Sequence, residues 1–186
     1  MIRILKSSFH IQRSRLQYYK TPVGELILGS FNNQLCLADW RYRKMRNSID
    51  NRLKKGLEAE FIEEISPIIE KTIVQLEEYF KQERKQFSID LLLIGTDFQK
   101  NVWNELIKIP FGKTYSYLEL SKKLNNVKAI RAIASANGAN AISIIIPCHR
   151  IIGSDGKLVG YAGGLPVKKK LLQLEGSLIA NQLSLF

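Results

Sequence analysis

The chain has 186 residues, 45% of them hydrophobic, which suffices for one ample domain or two small ones with a buried core and no disulfide staples. Two cysteines (Cys36, Cys148) and two histidines (His10, His149) exclude a disulfide framework and show no zinc-ligand spacing, and no apolar segment approaches membrane-spanning length. The net charge of +11 is uneven: residues 1–92 carry 16 Lys/Arg against 12 Asp/Glu, and residues 93–186 carry 12 against 5, a shortage of acids that suits a polyanion such as a phosphate backbone.

Residues 16–21 and 25–31 read as strands around a turn at Pro22-Val23-Gly24. Asn32-Asn33, tolerant of positive φ, makes a tight hairpin into a third strand over Gln34–Trp40. Cys36 within that strand reads as a buried structural thiol. The charged stretch 41–55 reads as a loop or a poorly buried helix. Ser66-Pro67 starts a helix, since proline is tolerated at the first helical position, and Ile69, Ile73, Leu76 and Phe80 repeat along one face of it. The polar run 81–85 closes this α+β unit.

The character changes over 89–95. Phe98, Val102, Leu106 and Ile109 mark an amphipathic helix ended by Pro110-Phe111-Gly112. Ser116-Tyr117-Leu118-Glu119 is a capping box that starts a helix running to about Leu124. After a break at Asn125-Asn126, a second helix runs from about Val127 to Asn137 and is closed by Gly138. Two short helices on a tight turn form a helix-turn-helix. Ala129, Ala132, Ala134, Ser135 and Ala136 let the second one approach another surface closely.

The apolar run 142–146 reads as a buried strand that delivers Pro147-Cys148-His149-Arg150. An imidazole and a guanidinium beside a thiol favour the thiolate, so covalent chemistry is assigned to Cys148. Cys148, His149 and Glu175 fit a nucleophile, a base and a group that orients the base. Adjacent residues meet awkwardly, so a bridging water is the natural link. Gly153-Ser154-Asp155-Gly156 is a turn, and the glycine-rich stretch 159–165, with Tyr161 in it, makes a wall for a flat ligand. A helix over 167–174 then ends at Glu175-Gly176. Lys168, Lys169 and Lys170 read as a solvated face, with Lys168 a candidate for the pocket.

Taken together, Arg131-Ala132-Ile133, Asn140, Pro147-Cys148-His149-Arg150, Gly160-Tyr161-Ala162-Gly163-Gly164-Leu165 and Leu174-Glu175-Gly176 resemble the catalytic domain of the O6-alkylguanine-DNA alkyltransferases over residues 98–176. Thr21-Pro22-Val23-Gly24-Glu25-Leu26 is similar to the start of that family's ribonuclease-H-like N-terminal domain. The resemblance implies a two-domain α+β fold: a ribonuclease-H-like domain over 1–91, a mainly helical catalytic domain over 92–176, and a tail over 177–186.

It also implies DNA repair by direct reversal. A methyl or larger alkyl group passes irreversibly from O6-alkylguanine in double-stranded DNA to Cys148, one turnover per molecule, with O4-alkylthymine a second candidate substrate. The second helix would enter the minor groove, with Ala134 and Ser135 against the backbone and Arg131 filling the stack left by the extruded base. Tyr117, Ile151, Tyr161, Ala162 and Lys168 would surround that base, Tyr117 also stabilising the departing guanine. His149 would take the thiol proton through a water, Glu175 would hold the imidazole, and Asn140 would brace the turn before the cysteine strand. Ala162 stands where several relatives have serine. A cytoplasmic monomer without cofactor, metal or membrane association is expected. The terminal Gln182-Leu183-Ser184-Leu185-Phe186 resembles the pentapeptide that docks bacterial repair proteins on the replication sliding clamp, with Gln182, Leu183, Leu185 and Phe186 as its contacts. A non-catalytic lesion-binding relative, a Cys–His hydrolase and a transcription regulator are the competing readings.

Overall fold

The computed structural model describes residues 12–178. Its first unit is a four-stranded sheet in the order β3-β2-β1-β4. β1 (Gln12–Thr21) and β2 (Gly24–Phe31) pair antiparallel, and β3 (Gln34–Trp40) returns against β2. Asn32 and Asn33 take φ of 48° and 59°, the left-handed pair that suits a two-residue hairpin on a twisted sheet. β4 (Ala59–Glu63) lies parallel to β1, a pairing that needs a crossover, and α1 (Arg46–Leu57) supplies it.

α1 departs from the sequence expectation. The stretch read as a loop or a poorly buried helix is a helix whose Ile49, Leu53 and Leu57 are buried at four-residue spacing. The charged residues between them mask a narrow apolar stripe. α2 (Pro67–Phe80) begins where predicted, with the Ser66 hydroxyl accepting from the Ile69 amide. Its buried face is rotated from the predicted one: Ile68, Thr72 and Tyr79 join Ile69 and Leu76, while Ile73 and Phe80 flank it.

The second unit is helical. α3 (Asp97–Ile107) opens on a capping box between Thr96 and Gln99, and α4 (Tyr117–Lys123) on the predicted one between Ser116 and Glu119. Asn125, at φ 51°, turns the chain into a 3₁₀ turn over Val127–Ala129 and then α5 (Ile130–Gly138). Gly138 is the last helical residue and not a left-handed cap behind the helix; Ala139 continues in αR. α3 packs on α5 and is pinned there by the Trp103 indole N–H, which donates to the Ala136 carbonyl at 2.8 Å. α6 (Leu165–Leu174) closes the described chain.

The expected strand over 142–146 is not one. Ala38 of β3 donates to the Ala141 carbonyl (2.9 Å) and accepts from the Ser143 amide (2.6 Å), a single bridge at the sheet edge. Ile144 then turns away at φ 70°, a left-handed conformation that β-branched residues rarely take and that costs about 1–3 kcal/mol. Cys148 therefore opens a 3₁₀ turn, Cys148–Arg150, after a strained bend. Two short strands, β5 (Tyr115–Ser116) and β6 (Ile151–Ile152), pair parallel around it.

One core joins the two units. Leu26, Trp40 and Tyr79 pack in the same cluster as Trp103, Ile146 and Leu171. Leu35 of β3 also exchanges backbone bonds with Asp90 and Leu92. No described helix is long and apolar enough to cross a membrane. His10 and the tail residues Gln182, Leu183, Leu185 and Phe186 lie outside the described residues.

Candidate active site

A cavity of about 630 Å³ opens between the two units. The second unit lines it with Tyr117, Ala134, Asn137, Asn140, Cys148 and residues 160–164. The first unit supplies the opposite wall: Gly24, Trp40, Tyr42, Arg43 and Met45 among others. Gly163 is required here, since a Cβ on it would lie 2.8 Å from the Trp40 indole. That indole donates to the Tyr161 hydroxyl at 3.1 Å, tying the glycine-rich stretch to β3.

Cys148 is 3% exposed and lines the cavity. Burial pushes its thiol pKa up; a hydrogen bond from Asn140 and the nearby charge of Lys168 act against that. This corrects the expectation of a thiolate made by its neighbours. The Arg150 guanidinium is engaged elsewhere, donating to Glu175 through Nε and Nη2 and to the Ile109 carbonyl through Nη1. A resting thiol has to pass its proton on before it attacks.

His149 is fully buried, and its Nε2 lies 2.8 Å from Glu175 Oε1. A carboxylate there accepts a hydrogen bond from Nε2–H, which leaves the lone pair on Nδ1. Nδ1 is buried without a hydrogen-bond partner among the described residues. Burial holds the imidazole below its usual pKa, against the pull of Glu175. Burial alone would raise the carboxyl of Glu175, but His149 and Arg150 together outweigh it and hold the group at about 2. Arg150 is permanently charged, so Glu175 stays ionised whether or not the imidazole does. His149 thus pairs with Glu175, and Arg150, expected beside the thiol, binds the carboxylate instead.

Asn140 is 2% exposed. Its amide nitrogen lies 3.0 Å from the Ile146 carbonyl and 3.2 Å from Cys148 Sγ, and its side-chain oxygen accepts from the Ile142 amide at 2.9 Å. The expected brace is there, but Asn140 is buried against the sulfur, not presented with Arg131 and Ser135. Those two are exposed on α5, and Ala134 between them lines the cavity. The Tyr117 hydroxyl accepts from Asn137 at 3.3 Å, beside the cavity. Tyr161 and Ala162 line it, whereas Ile151 is fully buried and does not.

Lys168 overturns the solvated-face expectation. It is fully buried, and its ammonium donates to the Ile151 and Val159 carbonyls. Burial lowers its pKa to about 8. The run Lys168-Lys169-Lys170 hid this, because adjacent helical residues face different directions and only one of the three turns inward.

The first unit also grips the segment between α5 and Cys148. Arg43 donates to the Asn140 carbonyl (2.9 Å) and the Gly138 carbonyl (2.7 Å), and Arg52 to the Ala139 carbonyl (2.8 Å). These are carbonyls at the end of a helix, which carry no intrahelical partner. Asp39, fully buried at the end of β3, holds Arg43 at 2.7 Å and Arg46 at 3.0 Å. An aspartate and an arginine four apart at the end of a strand were a signal available in the sequence. Their partners, nearly a hundred residues away, were not.

Comparison with known proteins agrees with this layout. Residues 15–93 match the ribonuclease-like domain of 6-O-methylguanine DNA methyltransferase, and residues 97–177 match its DNA-binding domain. The chain is 42% identical over 159 residues to a methylated-DNA–protein-cysteine methyltransferase of Methanosarcina acetivorans, covering 86% of this chain and 96% of that protein. It is 40% identical over 169 residues to the protein of the same name from Mycobacterium leprae, covering 89% and 94%. Among solved structures, Mycobacterium tuberculosis OGT in complex with DNA superposes with a TM-score of 0.75 at 36% identity, covering 94% of this chain and 99% of that one. With a two-part α+β fold, a buried cysteine at the junction and relatives matched over nearly their full length, the chain belongs to the 6-O-methylguanine DNA methyltransferase family.

Proposed function

We propose that this protein repairs DNA by direct reversal, taking the alkyl group of O6-alkylguanine onto Cys148. The observation that carries this reading is the placement of Cys148: it lines a cavity wide enough for a base, with the Asn140 amide 3.2 Å from its sulfur and the His149–Glu175 pair buried alongside. An atom inside a duplex is reached by extruding its nucleotide, and exposed Arg131 on the first turn of α5 suits the place left in the stack. Ser135, exposed one turn on, and Ala134 bring the helix backbone close to the phosphates.

Chemically, the Cys148 proton passes to His149 Nδ1 through a bridging water, and Glu175 stabilises the imidazolium that forms. The sulfur then attacks the alkyl carbon in line: an S–C bond forms and the C–O6 bond breaks. The electron pair stays on the departing guanine, which takes a proton at N1 from solvent while the imidazolium returns the thiol proton to solvent through the bridging water. Tyr117, whose hydroxyl stays protonated because burial raises its pKa, donates to the departing base. The product thioether is stable to water, so each molecule reacts once. On this reading residues 1–91 form the supporting domain and 92–176 the reacting one, while 177–186 form a tail whose Gln182, Leu183, Leu185 and Phe186 dock on the replication sliding clamp.

The test is to mix the protein with a duplex carrying one O6-methylguanine and map the peptides by mass spectrometry. One CH₂ added at Cys148, stoichiometric with restored guanine, is the expected result. Tight binding without transfer would point to a lesion-binding relative, and neither binding nor transfer to a hydrolase. For the tail, Leu185→Ala with Phe186→Ala should abolish clamp binding and leave transfer intact; unchanged clamp affinity would remove that assignment.

A further inference from the structure

We propose that Tyr79, on α2 of the first unit, is a positioning residue for the His149–Glu175 pair, fixing the carboxylate and limiting how much of its charge reaches the imidazole. This rests on the reading of His149 as the group that accepts the Cys148 proton.

Glu175 Oε1 is shared among three donors. His149 Nε2 lies at 2.8 Å, Arg150 Nη2 at 3.0 Å and the Tyr79 hydroxyl at 2.7 Å. Tyr79 is fully buried and stands 96 residues from its partner. Its ring is edge-on to Phe80 and Phe111, with centroids 5.3 and 6.0 Å away, and tilted on Phe87 at 5.6 Å. A ring caged by three others keeps its hydroxyl aimed at one point. That hydroxyl also stays a donor: burial and the adjacent carboxylate both push its pKa well above the usual tyrosine range.

The consequence for the imidazole follows from competition. Each bond accepted by Oε1 spreads the carboxylate charge and weakens its hold on a protonated His149. The other groups facing His149 are Arg150 and Lys168, both disfavouring the imidazolium, and the Tyr161 ring at 6.2 Å. Tyr79 acts in the same sense as these two cations but without a charge, and only through Glu175. It keeps the resting imidazole neutral and ready to accept a proton. Arg150 grips both carboxylate oxygens from one side, Nε on Oε2 and Nη2 on Oε1. Tyr79 adds to Oε1 a neutral donor from a different element, α2.

The experiment is the pH dependence of single-turnover methyl transfer, from a duplex with one O6-methylguanine, for the wild type and Tyr79→Phe. Phenylalanine keeps the ring and its packing and removes only the donor. The acid limb, where His149 gains its proton, should move up by about half a pH unit or more, the equivalent of one neutral hydrogen bond. Transfer on that limb should then be about threefold slower or more. A superimposable limb with a lowered melting temperature would overturn the proposal and leave Tyr79 a packing residue. If Tyr79→Phe does not fold, 3-fluorotyrosine placed at position 79 decides instead: as a stronger donor it should shift the limb down, and no shift overturns the proposal. A wild type that transfers no methyl group, or shows no acid limb, would instead bring down the underlying reading of Cys148 and His149.

Discussion

Cys36 and Cys148 are both buried, and burial raises the pKa of both thiols. Around Cys36 the described neighbours are those of a packed core. It lies on β3 in a cluster with Ile27, Leu53 and Leu57, its polar neighbour is the Ser14 hydroxyl at 3.9 Å, and its pKa is pushed up to about 11. Around Cys148 there is equal burial but different company: an amide nitrogen at 3.2 Å, a buried ammonium nearby, a cavity on one side and a histidine–carboxylate pair next in the chain. Burial and a raised pKa say only that a thiol rests protonated. Reactivity depends on a way in for the electrophile and a way out for the proton; among the described residues Cys148 lines the larger cavity, and on the proposed reading His149 supplies the proton route.

The largest expected effect separates the two outright. Cys148→Ala should remove the mass adduct entirely while the variant still binds alkylated duplex; an adduct persisting at Cys36 would break the comparison. Next, Glu175→Gln should slow single-turnover transfer by about 100-fold or more, since the imidazolium loses its counter-charge. The same variant leaves Arg150 without an anion, so its stability in chemical denaturation should fall by about 3 kcal/mol.

Arg43→Met tests whether the first unit acts on the Cys148 region. It strips donors from the Gly138 and Asn140 carbonyls and one partner from buried Asp39. A loss of about 2–4 kcal/mol is expected, with transfer slowed more than duplex binding is weakened. Equal losses in rate and affinity would show that Arg43 supports the fold without favouring the reactive segment.

Acid sharpens the contrast further. Glu175 is held at about 2, below its ordinary value, so the folded state binds its proton less readily than the unfolded chain does. Its stabilisation is present above the unfolded value, near 4.5, and is lost as pH falls from there through about 2. The free energy of unfolding from denaturant titrations should therefore drop across that window by up to about 3 kcal/mol, and the drop should be missing from Glu175→Gln. The smallest effect belongs to Cys36→Ala. It should cost about 1 kcal/mol in thermal or chemical unfolding and leave transfer at Cys148 unchanged.

What could be read in advance follows the range of the interactions concerned. The Asn32-Asn33 hairpin, the Ser66 cap and the Ser116/Glu119 capping box are satisfied within four residues, so their sequence signatures carried over into the structure. The stretch 142–146 did not. Three isoleucines in a row have high strand propensity, yet a single bridge to Ala38 and the bend at Ile144 turn them into a strained approach to Cys148. Tertiary context overrides propensity most easily in short apolar runs, which suit a strand or any other buried conformation. Lys168 and α1 depart from expectation for a related reason: charge in a sequence does not fix exposure where a buried partner, or an apolar stripe between the charges, decides otherwise.

The sequence by itself determined the proposed reacting segment and its kin: Cys148 beside His149, Glu175 downstream, a helix-turn-helix ahead of them, and a basic second half. Those features are residue identities and short spacings. Only the tertiary structure decided that Arg150 binds Glu175 and not the sulfur, that Asn140 reaches the thiol, and that Asp39, Arg43, Trp40 and Tyr79 of the first unit wall and brace the site. Each is a buried polar group that must find a partner on folding, and the partner it finds is set by which elements pack together, not by distance along the chain.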